Sequence, residues 1–344
     1  MNPEKRVSIR DVAREAGVSV QTVSRVVNNK DGISEATRDR VRAIIDTMGY
    51  EPNVIARSLI AGRSYTIACI AQSLTDHALA SIIEAMRKAA EASGYIVLAG
   101  QAETAIEARN LIDLFLRRRV DGLVIIDPGM DSRFEYVQEL VASGFPIVYI
   151  GTTPEDDSVS SVNCDDFQAC HDATRHLISL GHREIATITG PLAEQNARMR
   201  LDGYKAALAE AGITFDEGLV HTGPWAAENG YRGIKTIAAR GRPFTGVAVQ
   251  SDPFAVGAMA ALREIGRPVP EKVSLVGMDD HPWVGYLDPP LTTMRQDLGK
   301  IGSEAVRLAL DRIENQNWKA ESINVGTTLV ERLSCRKLWN QEAS

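Results

Sequence analysis

Gln21 and Arg25 stand four residues apart in the stretch from Val20 to about Asn28, so an amide and a guanidinium share one face of a helix whose other face carries Val23, Val26 and Val27. These side-chain types can read bases: an amide bridges N6 and N7 of adenine, and a guanidinium bridges O6 and N7 of guanine. Bond-making chemistry finds less support. The chain has no Gly-x-Gly pair for a dinucleotide turn, no Walker loop, no Gly-x-Ser-x-Gly elbow and no His-Glu-x-x-His helix. His171 and His176 are five apart and share no helix face, and Asp279-Asp280-His281 is too thin a cluster to argue for a metal. No catalytic residue, metal ligand or cofactor is therefore expected. Cys69, Cys164, Cys170 and Cys335 include no Cys-x-x-Cys pair and read as buried free thiols.

The helix that carries Gln21 and Arg25 needs neighbours to hold it. Ser8 precedes Ile9 to Ala16, with Asp11 placed as a capping-box partner and Gly17 as the stop. Ser19 caps the second helix, and Ser34 opens a third through Val41, Ile44, Ile45 and Met48 that ends at Gly49. Three short helices with a glycine turn between the first two describe a helix-turn-helix unit, with a small structural bundle as the alternative.

From Tyr65 onward the texture changes. Strand-like runs at Thr66–Ala71, Tyr95–Ala99, Gly122–Ile126, Pro146–Ile150, Ile185–Thr189, Gly246–Gln250 and Val273–Gly277 alternate with amphipathic segments. Helices are predicted at Ala80–Ser93, Ala105–Arg118, Asp166–Leu180, Arg198–Ala211, Glu228–Ala239 and Pro253–Ile265. This alternation implies an α/β body of parallel sheets covered on both faces. Two doubly wound lobes with ligand at the carboxyl ends of the strands are the economical arrangement, and an eight-stranded barrel is the competing one.

The net charge of −7 over 344 residues is unevenly spread. Residues 1–63 hold 11 Lys/Arg against 8 Asp/Glu, while the remainder holds 27 against 37. A mildly basic head on an acidic body suits a protein that meets phosphate at one end. No apolar run approaches the length of a membrane span, and Met1 to Arg10 lacks the apolar stretch of a secretory signal, so the cytoplasm is expected.

The stretch Ile9 to Asn28, together with Gly49-Tyr-Glu-Pro-Asn53, closely resembles the lac repressor family of bacterial regulators. The likeness continues through Leu180-Gly-His-Arg-Glu-Ile-Ala186, Gly190-Pro191, Ala197 to Tyr204, Val276-Gly-Met-Asp-Asp280 and Pro289-Pro-Leu-Thr-Thr293, and so covers nearly the whole chain. It implies an all-α helix-turn-helix head (1–51), a hinge helix and linker (52–63) and a two-lobed periplasmic-binding-protein-like body (64–338), followed by a tail (339–344). In the body, 64–164 and 297–322 would form the N-terminal lobe, and 165–296 and 323–338 the C-terminal lobe. Dimerisation and a pseudo-palindromic operator come with the resemblance. Leu333 to Ser344 lacks the sustained heptads that make the lac repressor a tetramer, so a homodimer is expected.

Carried over residue by residue, the resemblance places Val20, Gln21 and Arg25 in the major groove. Ser19 lies at the head of the same helix, and Thr22, Ser24 and Asn28 would hold phosphates. Asn53, Ala56 and Leu59 match minor-groove residues of a hinge helix, with Leu59 the wedge that kinks DNA; a plain linker is the alternative. Val54 stands where many relatives carry a basic residue.

Arg200, Trp225, Asp279 and Gln296 match positions that line the effector cleft. Guanidinium and carboxylate groups suit paired sugar hydroxyls, and an indole suits the apolar face of a pyranose. Ser251 and Asp252 replace a common Asn-Asp pair, Asn163 is a further candidate, and Gly151 stands in place of an aspartate of the lac repressor. Leu74 and Asp76 belong to a segment without the aromatic pair that many relatives place at the cleft mouth. With Trp225, that favours a glycoside or disaccharide as effector, the alternative being a purine or other small-molecule corepressor. Trp225 also fits a plain core role, and Asp279 or Asp280 a turn. An enzyme and an exported sugar-binding protein are the competing classes; the first lacks its motifs, and the second would need an export signal and no head.

Overall fold

A computed structural model describes residues 7–27, 31–50, 62–126, 134–153, 158–315 and 317–338. They fall into two compact units, a head ending at Ser64 and a body beginning at Tyr65.

In the head, α1 (Ile9–Glu15), α2 (Val20–Val27) and α3 (Glu35–Met48) form where local signals place them. The capping box closes as anticipated: Ser8 N–H donates to Asp11 Oδ2 at 3.0 Å, and Asp11 N–H donates to Ser8 Oγ at 3.4 Å. Gly49 ends α3 with φ +59°, a left-handed conformation that a Cβ would disfavour. Val12, Ala13, Ala16, Val23, Val26, Val41 and Tyr50 meet in one small core, which fixes the face that α2 turns outward.

The N-terminal lobe holds β1 (Thr66–Ala71), β2 (Ile96–Gln101), β3 (Gly122–Ile126), β4 (Ile147–Ile150), β5 (Ser160–Cys164) and β11 (Ser322–Val325) in the order β11-β5-β4-β3-β1-β2, all parallel. Its helices are α4 (His77–Ala92), α5 (Ala105–Arg117), α6 (Phe134–Ala142) and α11 (Leu298–Glu314). Strand periodicity divides the core: Ile67, Cys69 and Ala71 of β1 pack under α4 and α11, while Ala68 and Ile70 pack on the opposite face with Ile112 and Phe115 of α5.

The C-terminal lobe repeats the plan with β6 (Ile185–Thr189), β7 (Val220–Thr222), β8 (Gly246–Val249), β9 (Ser274–Asp279), β10 (Thr292–Gln296) and β12 (Thr327–Val330), ordered β12-β10-β9-β8-β6-β7. Only β12 runs antiparallel to its neighbour among the described strands. Helices α7 (Asp166–Ser179), α8 (Gln195–Glu210), α9 (Ala227–Ala239) and α10 (Asp252–Glu264) cover the two faces. A Cβ at Gly230 would overlap the carbonyl of Phe254, and one at Gly257 that of Ala227, so bare backbone lets α9 and α10 close on each other.

Two open six-stranded sheets exclude the barrel. The chain passes between lobes after Cys164, after Gln296 and at Gly326. The last point corrects the expected boundary after residue 322: Ser322–Val325 pairs with Ser161–Cys164 and belongs wholly to the N-terminal lobe. β5, β7, β10, β11 and β12, with α11, were not anticipated. β5 reads Ser-Ser-Val-Asn-Cys, yet it is buried throughout because neighbouring strands satisfy it, as where the hydroxyls of Ser161 and Ser322 meet at 3.0 Å.

Candidate functional site

On the head, Gln21 and Arg25 are exposed on α2, and Val20 beside them is 41% exposed, while Val23 and Val26 anchor the inner face. Ser19 Oγ accepts the N–H of Thr22 at 3.1 Å and lies 2.9 Å from its hydroxyl, so these two side chains cap the helix that presents Gln21 and Arg25. Ser24 is half-buried on the same helix. Asn28, Asn53, Ala56 and Leu59, and with them the proposed hinge helix, lie outside the described residues.

In the body, the carboxyl ends of β9 and β10 bring Asp279 and Gln296 together. Gln296 Nε2 donates to Asp279 Oδ1 at 2.7 Å, and Ser251 Oγ donates to Oδ2 at 3.0 Å. Asp279 has φ +113° and Asp280 φ +57°, a strained turn for residues with a Cβ. Arg295 and Arg332 pin it by donating to Asp280 at 2.6 and 2.7 Å. Asp252 lies wholly buried beneath this turn, accepting from Thr293 Oγ1 at 2.7 Å and from His281 N–H at 2.9 Å. It supports the cleft floor and lines no open surface. Burial, then the charge of Asp279, pushes the Asp252 carboxyl up to about 8. Burial raises Asp279 to about 6 against the opposing pull of Arg200 and the Ser251 hydrogen bond.

Arg200, near the middle of α8, is also buried. Its Nε donates to Asp166 Oδ1 at 2.7 Å and its Nη1 to the carbonyl of Gln250 at 2.5 Å, and the guanidinium sits 5.6 Å from the ring centroid of Trp225. Trp225 stacks on Phe254 with centroids 5.5 Å apart and donates Nε1–H to Glu194 at 2.6 Å. It is half-buried, so its core role and its place beside Arg200 coexist. A Cβ at Gly190 would run into the indole, which explains a glycine directly after β6. Asn163 donates to Thr153 Oγ1 at 2.9 Å while its own Oδ1 is buried without a hydrogen-bond partner. Such an acceptor costs free energy until a donor reaches it.

From the N-terminal lobe, Leu74 is 39% exposed, and Asp76 caps α4 by accepting Leu79 N–H at 3.1 Å. Asp76 is close enough to Asp279 to oppose its ionisation, which places it opposite the cleft floor. The lobes also touch directly: Thr153 N–H donates to Gln195 Oε1 at 3.2 Å, and the rings of His77 and His281 meet with centroids 4.5 Å apart. A cavity of about 550 Å³ opens beside the crossovers, with His77, Asp279, Gln296, Val325 and Thr328 in its wall. Asp166, Gln250, Glu194, His77 and His281 lie against these candidates in the fold and were not among the site residues expected from the sequence. Each acts through a partner that lies far away in the chain or on another element, and none carries a local signal. Among the described residues no cluster of side chains is arranged to hold a metal ion, and no helix is long and apolar enough to cross a membrane.

The pattern of bacterial regulatory proteins of the lacI family matches residues 8–53, and that of the periplasmic binding protein-like domain matches residues 174–335. The HTH-type transcriptional repressor PurR of Klebsiella pneumoniae (strain 342) is 34% identical over 329 residues, covering 95% of this chain and 96% of that repressor. Its counterpart in Escherichia coli O81 (strain ED1a) is 35% identical over 334 residues, with the same coverage. The chain belongs to the lacI family.

Solved structures of lacI-family relatives match most of the chain. The lac repressor dimer bound to operator and the anti-inducer ONPF superposes with a TM-score of 0.83 at 30% identity, covering 96% of this chain and 99% of that one. The transcriptional regulator CelR in complex with cellobiose gives 0.74 at 32% identity, covering 96% and 100%. This lacI-family chain is accordingly a DNA-binding transcriptional repressor with a small-molecule effector, and not an enzyme.

Proposed function

We propose that the repressor binds a pseudo-palindromic operator as a cytoplasmic homodimer and is released from it by an uncharged sugar, a glycoside or disaccharide, held between the lobes. One observation carries this reading: Arg200, Ser251, Asp279 and Gln296 gather at the carboxyl ends of the C-terminal lobe's strands beside the indole of Trp225, and Asn163, near the carboxyl end of β5 in the other lobe, has a buried Oδ1 without a partner. Hydroxyl groups both donate and accept, which suits a lining of one guanidinium, two amides and a carboxylate. In this reading Leu74 and Asp76 approach the sugar from the other lobe, and Asp252 acts through Asp279. The relatives solved with cellobiose and with ONPG support a glycoside in the cleft; the ONPG complex is of the repressed state, so the direction of the switch rests on measured operator binding. A second reading, a purine acting as corepressor, is favoured by the 34–35% identity with the PurR repressors.

Thermal unfolding of the purified protein against cellobiose, ONPG, adenine and guanine separates the two. A ligand at one hundred times its Kd stabilises the folded cleft by about 2.7 kcal/mol, or roughly 5–10 °C in a body of this size. A shift with a sugar, joined to weaker operator binding at fixed salt, supports the first reading. A shift with a purine alone, joined to tighter operator binding, replaces it with the second.

A further inference from the structure

We propose that the rings of His77 and His281, in contact across the cleft, form a proton-operated latch that holds the lobes together at neutral pH and releases them in acid. His77 is the first residue of α4 in the N-terminal lobe, and His281 follows the strained turn at the end of β9 in the other. Their centroids lie 4.5 Å apart with the planes tilted by 38°. His281 is only 9% exposed, and its ring also packs at 4.9 Å against the indole of Trp283. The ring of His77 thus meets a surface already fixed by its own lobe, where the His281 N–H is tied to Asp252.

The charged groups around the ring contact compensate added positive charge there only in part. On the His77 side, Asp76 is exposed and already accepts Leu79 N–H, and the amino end of α4 opposes a cation. On the His281 side, Asp280 is neutralised by Arg295 and Arg332, and Asp252 is buried with its carboxyl raised to about 8. Asp279 Oδ2 lies 3.8 Å from His281 Nε2, within ion-pair range but beyond hydrogen-bond reach, and its charge is shared with Arg200. With its carboxyl raised to about 6, Asp279 loses charge over the same pH range in which imidazoles gain it. Asp297 caps α11 by accepting Lys300 N–H, and the Lys300 side chain adds a positive charge to the same wall. Burial, then the nearness of His77, holds His281 below its ordinary value, with Asp76 and Asp280 opposing. A proton on His281 is therefore poorly tolerated against the ring it meets in a partly desolvated gap, so the contact persists at neutral pH and fails in acid.

The latch is independent of which effector the cleft takes, and its test uses none. Spin labels on Glu103→Cys and Asp202→Cys, exposed on opposite lobes of the full chain, report lobe separation by electron-electron dipolar spectroscopy from pH 8 to pH 5, while tryptophan emission reports the charge on His281 through quenching of Trp283. The expected result is a longer inter-lobe distance in acid together with an emission step centred below the ordinary imidazole value of about 6.5. His77→Phe keeps the ring contact without the second charge, so it should abolish the lengthening and move the emission step to higher pH. Trp283→Phe should remove that step and leave the lengthening. A distance that does not change with pH in the wild-type protein, or one that lengthens equally in His77→Phe, overturns the latch. Circular dichroism at each pH confirms folding, and His77→Gln replaces the phenylalanine variant should that one unfold.

Discussion

Arg200 and Asp166 form a buried ion pair in the C-terminal lobe, Nε to Oδ1 at 2.7 Å, with each side chain only 8% exposed. Burial raises the Asp166 carboxyl, and Arg200 is what opposes that rise. Removing one member of such a pair leaves an uncompensated buried charge and costs about 3–5 kcal/mol. Arg200→Ala should therefore lower the urea midpoint of the body as well as blunt the effector response. A midpoint equal to wild type would show that Asp166 finds another partner.

Asp279 offers a cleaner way to blind the sensor. Its carboxylate accepts from Gln296 and Ser251, and an amide oxygen can keep one of these bonds while losing the charge. Asp279→Asn is expected to bind operator like wild type and to lose most of its response to the effector identified by thermal unfolding. Operator affinity with and without that effector checks this, and a full response would place the effector elsewhere.

Arg25 is exposed on α2, one turn beyond Gln21, with Val23 and Val26 holding the helix from behind. Arg25→Ala should cost about 1–3 kcal/mol at one operator position and relax preference there. Selection of binding sites from a random library reads the preference directly. An equal loss on every sequence would reassign Arg25 to a phosphate.

The Asp252 carboxyl titrates near about 3.9 in an unfolded chain and at about 8 in the fold. Between those values the folded state holds the extra proton, so this contribution to stability is complete below the lower value and is lost as pH rises through the upper one. Asp252→Asn removes that dependence: its one amide oxygen keeps the acceptor for His281 N–H, and its NH2 donates to the Thr293 hydroxyl instead of accepting from it. The variant should gain on wild type in melting temperature as pH rises from 5 to 8. A constant difference would mean that Asp252 stays ionised throughout.

The sequence by itself determined what short-range physics controls. Ser8 and Asp11, Ser19 and Thr22, and the left-handed Gly49 are capping devices that act within one helical turn, so all three head helices and the outward face of α2 could be read directly. The apolar strands at Thr66–Ala71, Gly122–Ile126 and Ile185–Thr189 were legible for a similar reason, because burial on both faces leaves a continuous apolar run. Polar strands such as Ser160–Cys164 were not, since their burial depends on partners like Ser322 far along the chain. Tertiary structure alone decided that the last crossover falls at Gly326, that Asp166 meets Arg200, that Asp252 lies below the cleft floor, and that His77 touches His281. The physical reason is common to all four: two separately wound sheets are joined by three passages of the chain, and contacts at their meeting edges follow from how the sheets close on each other, which no local pattern of residues encodes.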